Sequence, residues 1–445
     1  MHKLVLMKWL IGGLLMLMTQ SVVFAQADPN LQKLKSFAVK YYPRGYDSAL
    51  DNITLQPAGN LHYLYPLYQF FKQESKFRSV FGDDYNNQLS EAISFTEDYH
   101  SVLEFEEQSY EMVDELSEKK IEKTVSELKG IQHVDARRYI SFLAKNYQVI
   151  MLNEANAKSL HRVFAISLLE ELYNKGFHYL ALEMLNNYSN HSLNKLTSNT
   201  GYYSAEPIAG ELIRRALEIG FTLVSYDDTL AFSNEHNAAQ RDSVQARNIY
   251  AVIKKDPSAK IFVLASYGHI AEKSSDTNYI PMAMMFKKIS GIDPLTIDQT
   301  EMTEGSNFGY GNALYKAYTQ KFLLKTPSVA MVINEPLSIT NNDSYDISVI
   351  HPQTVYRDGR PDWLSLNGLR QPVYVNPNLK DVFLVQAYYQ SEANESGPGK
   401  IVPADQSYIP TSKGNYLLYL RKGKYIIVYR SLGYHLIGKL NIDVN

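Results

Sequence analysis

Hydrophobic and polar positions divide the chain into three stretches of different rhythm. Up to about residue 145 the apolar positions recur at helical spacing. Residues 61–77 are aromatic-rich, residues 83–99 keep a helical period, and residues 105–129 are dense in Glu and Lys with opposite signs four apart. From about residue 134, short apolar runs alternate with helical patterns. Residues 147–152 form such a run, which breaks into Asn153-Glu154-Ala155-Asn156. A helix is predicted over 159–174, stopped by Gly176, and a second run, 178–182, ends on Glu183. Further strands are predicted at 221–226, ending in Asp227-Asp228; at 260–265, ending in Ser266-Tyr267-Gly268-His269; and at 328–333. Helices over 208–218 and 241–254 lie between them. The alternation predicts an α/β domain whose mostly parallel sheet is flanked by helices.

From about residue 366 the pattern becomes β-rich. A strand is predicted at 382–389 and a polar loop at 391–399. A tight hairpin is predicted around Lys422-Gly423, and a final short hairpin over 435–444. The expected organisation is therefore a signal peptide (1–25), a helical region (26–140), the α/β domain (141–365) and a C-terminal β-rich module (366–445).

The first 25 residues read as an address. His2, Lys3 and Lys8 flank the apolar segment 9–18, and Val23-Phe24-Ala25 places small residues at the −3 and −1 positions of a cleavage site after Ala25. The expectation is an exported protein, periplasmic or secreted, with no transmembrane segment once the leader is cut. The absence of cysteine removes disulfides, thiol nucleophiles and thiolate metal sites. A net charge of −3 gives no electrostatic reason to expect nucleic acid as a partner. The 34 tyrosines, against 2 tryptophans, are read as half-buried residues of the fold rather than as a sugar- or peptide-binding surface.

Candidate chemistry gathers at the predicted strand ends, where open α/β sheets place their sites. Glu154, Glu183, Asp228 and His269 fall there, and Arg241 opens the helix before the His-bearing strand. Carboxylates and a histidine on one rim can exchange protons or hold a divalent metal, and an arginine can hold an anionic substrate group. The bland alternative is that these carboxylates cap helices or pair with Arg241 and Arg247. Tyr202 and Glu206 lie in a loop that can wall the cleft, although Glu206-Pro207 can equally start a helix. His161 either faces the site or sits on the surface, the surface being favoured. Gly-x-Ser-x-Gly, P-loop, Gly-x-Gly-x-x-Gly and His-Glu-x-x-His motifs are missing from the sequence.

Over roughly residues 145–330 the order of motifs resembles the erythromycin esterase-like superfamily, with its ChaN-like haem-binding and TIKI/TraB-type relatives. The resemblance rests on Asn153-Glu154-Ala155-Asn156, Gly176-Phe177, Leu180-Ala181-Leu182-Glu183, Arg241-Asp242, Gln245-Ala246 and Tyr267-Gly268-His269. It implies a hydrolase of an ester or amide bond in a small-molecule or peptide substrate. Glu154 and Glu183 would be site carboxylates, His269 an acid–base or supporting histidine, and Arg241 an anchoring charge. The family's first histidine is Asn156 here, and asparagine does not take a proton near neutral pH. The alternative reading is thus a non-catalytic binding protein, for iron or haem, or a scaffold. Divalent metal and haem both stay open; for haem the available axial ligands are Tyr267, His269 and His161.

Overall fold

The computed structural model describes residues 29–40, 60–109, 115–187, 193–230, 236–274, 278–306, 312–340 and 342–445. The leader and its Ala25 cleavage position lie outside them. Helices α1 (Pro29–Ala38), α2 (Tyr65–Lys72), α3 (Glu74–Phe81), α4 (Tyr85–Ser94), α5 (Tyr99–Glu107) and α6 (Glu115–Glu127) make up the helical region. Asp98 caps α5 by accepting a hydrogen bond from the Ser101 amide.

The central sheet has nine strands in the order β1-β7-β9-β6-β2-β5-β3-β4, with β8 added on β7. They are β1 (Gln132–Asp135), β2 (Val149–Glu154), β3 (Phe177–Leu182), β4 (Thr222–Ser225), β5 (Lys260–Ser266), β6 (Leu295–Met302), β7 (Ser328–Val332), β8 (Glu335–Pro336) and β9 (Ile347–Ile350). The run β4-β3-β5-β2-β6-β9 is parallel throughout. β7 and β1 close that side antiparallel. Positive φ at Ile333 and Asn334 turns β7 directly back into β8, so the run at 328–333 is one arm of a hairpin rather than another parallel strand.

Period-two alternation explains why the strands are apolar almost without a break. Ile150, Leu152, Leu180, Leu182, Phe262 and Leu264 face one side, against helices α7 (Ala136–Leu143), α8 (Ser159–Tyr173) and α9 (Pro207–Ile219). Val149, Met151, Ala181, Ile261 and Val263 face the other, against α10 (Ala238–Lys255) and α11 (Met282–Ser290). Helix α12 (Asn312–Lys321) lies near the antiparallel side, where Tyr318 clusters with Val125 of α6. β2 and β3 are parallel but not neighbours, because β5 lies between them. The chain leaves β2 toward the α8 face and leaves β5 toward the α11 face. A crevice therefore opens between these two adjacent strand ends.

The C-terminal strands depart from the expected hairpins. β15 (Tyr416–Leu420) pairs with β12 (Gln371–Val375), whereas β16 (Gly423–Arg430) pairs with β13 (Leu384–Tyr389) and β17 (Leu436–Val444). The turn at Lys422-Gly423 thus passes the chain between two sheets, which pack face to face through Leu418, Leu420, Val385 and Ile427. The last segment is the single strand β17, not a hairpin. The polar stretch 391–399 contains helix α13 (Gln390–Ser396). Short strands β10 (Tyr356–Arg357) and β11 (Arg360–Pro361) form a hairpin of their own, and β14 (Asp405–Ser407) edges the four-stranded sheet.

The helical region and the β-rich module share one apolar cluster. Leu64, Tyr68 and Phe71 meet Phe383, Leu384, Val402 and Tyr434. Arg360 ties the same two regions together, 2.7 Å from both Glu97 and Asp405. A second ionic knot joins the module to α9. The buried Glu211 carboxylate lies 3.2 Å from Arg370 and 3.2 Å from Arg421, and accepts a hydrogen bond from the Tyr389 hydroxyl. Arg214, one turn along, donates to Glu392 at 2.8 and 2.7 Å.

Candidate functional site

A cavity of about 240 Å³ opens at the carboxyl ends of β2, β5, β3 and β4. Glu154, Asn156, Glu183, Tyr202, Asp228 and Arg241 line it, together with Ser266 and Asp227. Six of the ten residues expected from the sequence therefore meet at one cleft. His161, Glu206, Tyr267 and His269 do not line it.

Glu154 is the last residue of β2 and stands beside Ser266 of β5 in register. It is 6% exposed. Its one ion pair is with Arg162, whose Nε lies 2.8 Å from Oε2, at an angle that leaves both atoms without a directed hydrogen bond. Arg162 is shared. It also lies 3.3 Å from Glu206 and donates to the Asn156 carbonyl at 2.9 Å. Burial outweighs this single cation, and the neighbouring Glu183 charge adds to burial, so the Glu154 carboxyl is pushed up to about 7.

Glu183, just past β3, is held differently. It accepts from the Ser266 amide at 2.7 Å and from the Ser266 hydroxyl at 3.0 Å, and pairs with Arg241 at 2.6 Å. Arg241 also grips Asp227 through Nε and Nη2, both at 2.8 Å. The guanidinium thus sits between two carboxylates of its own chain, where a substrate anion was expected to bind. Gln245 completes the Asp227 shell at 2.7 Å. Asp228 caps the Leu230 amide and pairs with His236.

His269 stands behind Glu183 in the 3-10 turn Tyr267–Ile270. Its Nδ1 meets Asp242 at 2.6 Å and its Nε2 lies 3.7 Å from Glu183. Asp242 is fixed in turn by the Tyr279 hydroxyl and the Met282 amide. Burial disfavours a charged imidazole, but Asp242 and Glu183 outweigh it and hold His269 above the usual histidine value.

The remaining expectations are corrected by the packing. His161 is fully buried, not on the surface, and its Nδ1 accepts the Ala155 amide at 2.9 Å. Burial lowers its pKa well below the usual value, so it stays neutral and cannot stand in for a base at Asn156. Glu206 is the N-cap of α9, accepting from the Ile208 and Ala209 amides at 2.8 and 2.7 Å. Tyr267 takes a positive φ of 39° as β5 ends; it is half-exposed and is not among the residues that line the cavity. Asn156 does reach the cleft and donates to the Tyr203 hydroxyl at 3.3 Å. Tyr203 donates to Glu91 of α4, so the helical region braces the aromatic wall. The Tyr202 and Tyr203 rings meet edge to face at 5.0 Å.

Sequence reasoning missed Ser266, Arg162, Asp242 and Asn153. Asn153 donates to Asp298 and accepts from the Gln299 amide, fixing the end of β2 against β6. Each of the four sits directly beside a residue that was singled out, which is the signal that was available.

Among the described residues, no group of three His, Asp or Glu side chains converges as metal ligands. The residues do not fit haem either, since Tyr267, His269 and His161 all lie outside the cleft lining. No helix among the described residues is long and apolar enough to cross a membrane.

No family model matches the chain, and no curated protein matches it. Among solved structures it is similar to the type III effector HopBA1, at 11% identity over 49% of this chain and 93% of that chain, with a TM-score of 0.31. A structure described as bacterial protein toxins matches at 12% identity over 63% of this chain and 58% of that chain, also with a TM-score of 0.31. Likenesses this low carry no argument about what the cleft does.

Proposed function

We propose that the cleft hydrolyses an ester or amide bond, with Glu154 as the general base. The observation that supports this is the state of Glu154: buried, lining the cavity, short of hydrogen bonds and poised near 7. As water's oxygen bonds to the substrate carbonyl carbon, Glu154 takes its proton. It returns that proton to the leaving alcohol or amine as the C–O or C–N bond breaks. Arg241 and Ser266 hold Glu183 on the opposite wall, and His269 with Asp242 supports Glu183 from behind. The resemblance to erythromycin esterase-like proteins supports the same reaction class. On this reading the protein acts after export, and N-terminal sequencing of the exported protein tests whether it begins at Gln26.

The test is an ester and amide panel on the full mature chain beside Glu154→Gln. Turnover is expected to rise with pH through about 7, and the variant to lose at least roughly 100-fold in kcat. Equal rates for wild type and variant would sink the proposal. The reading as a ligand-binding protein without turnover is favoured by Asn156, which stands at the position of the family's base. Saturable binding of panel members with no product from any of them would establish it.

A further inference from the structure

The open edges of the sheets are guarded unequally. The central sheet ends in β1 and β4, each of four residues, and its added strand β8 has two residues and contains Pro336. In the β-rich module β12 carries Pro372, and the three residues of β14 are buried. Shortness, proline and burial are the usual protections of an edge strand. β17 has none of them. It runs for nine residues without proline and ends its sheet, pairing with β16 alone. On its far side, the N–H and C=O groups of alternate residues have no strand to bond.

The side chains along this edge are complementary to themselves. Asn441 is the centre. Leu440 and Ile442 flank it, followed by Lys439 and Asp443, and then by Gly438 and Val444. An antiparallel second copy centred on Asn441 sets Lys439 opposite Asp443 of the second copy, and Leu440 opposite its Ile442. Two-fold symmetry makes each of these contacts twice. A slip of one residue loses both charge pairs and sets Leu440 against Asn441. Lys439 and Asp443 are exposed, and among the described residues neither makes an ion pair within its own chain. Leu440 and Ile442 stand opposite Ile427 and Tyr425 of β16, so they carry the apolar face between the two sheets out to the open edge.

We propose that β17 is the interface of a homodimer, in which the β17 strands of two copies pair antiparallel about Asn441 and join their sheets into one. The occupant of the edge is a second copy because the charge pattern is its own complement. This is independent of what the cleft does.

The experiment is sedimentation of the full mature chain across a concentration series, beside Lys439→Asp and Asp443→Lys. A single edge pairing is small for a protein interface, so a dissociation constant on the order of 10–100 μM is expected, weakening as salt rises. Each single variant opposes like charges twice and should dimerise at least about tenfold more weakly. An equimolar mixture of the two variants opposes unlike charges at both positions, and should recover a heterodimer within a few-fold of the wild-type affinity. That recovery also shows that both variants are folded. Hydrogen exchange at alternate β17 amides should slow as wild-type concentration rises. A wild-type chain that stays monomeric to about 1 mM would overturn the proposal. So would a dimer that neither variant weakens, or variants that fail to recover when mixed.

Discussion

Glu154 and Glu211 are both buried glutamates beside arginine, yet they are driven in opposite directions. At Glu211, burial pushes the carboxyl up, but Arg370, Arg214 and Arg421 together outweigh it and hold it below the usual range. At Glu154, burial faces one shared guanidinium and wins. The Glu211 site is packed shut between α9 and the β-rich module, whereas the Glu154 site opens on a cavity. The number of cations committed to each carboxylate decides the direction in which it is driven.

The largest effect that could break this contrast is on stability. Glu211→Gln leaves the buried Arg370 guanidinium without its anion, while Arg214 keeps Glu392 and Arg421 keeps Glu218, and is expected to cost about 3–5 kcal/mol in urea unfolding. Glu154→Gln should stay within about 1 kcal/mol of wild type at neutral pH. Similar losses in the two variants would erase the distinction.

Next is the cation itself. Arg162→Met removes the one charge that holds Glu154 down, so the midpoint of the pH–rate profile should move upward by about one unit or more. A midpoint that stays near 7 would show that Arg162 does not set it.

A finer test follows stability with pH. Glu154 is raised in the folded state, so its contribution is full below the unfolded value, roughly 4.3. It is lost as pH climbs to about 7. Glu211 is depressed, so its contribution is present above the unfolded value and lost as pH falls through the folded one. Urea midpoints taken across acid to neutral pH should show a smaller decline in Glu154→Gln than in wild type, the remainder coming from other raised carboxyls such as Glu301.

The smallest effect is expected at His269. It supports Glu183 without lining the cleft, so His269→Gln should lower kcat/KM several-fold and leave the pH midpoint unmoved. A loss as large as that of Glu154→Gln would make the histidine a direct participant.

Much of the sheet was legible because β2 and β5 are buried on both faces, and β3 over its second half, so that they read as mostly apolar runs. Their order was not, because β5 enters between β2 and β3 from more than 70 positions downstream of β3. The cleft was found through carboxylates at strand ends. His161 was placed on the surface, and the structure buries it completely. In the fold, Arg162 is buried by Glu154 and Glu206, and α8 is covered from outside by Leu364, Leu366, Leu417 and Tyr419. The Glu211 knot left no local trace, since Arg370, Tyr389 and Arg421 come from far along the chain.

The shared cluster of helical region and β-rich module has a consequence for how the molecule is made. The Tyr434 hydroxyl donates to the Leu61 carbonyl across 373 positions, and its ring stacks on His62. A ribosome delivers α2 hundreds of residues before its covering strands exist. The early helices must wait with Leu64, Tyr68 and Phe71 uncovered until nearly the whole chain has emerged. A nascent chain halted before β16 would therefore carry an aggregation-prone N-terminal segment, one whose partner has not yet been translated.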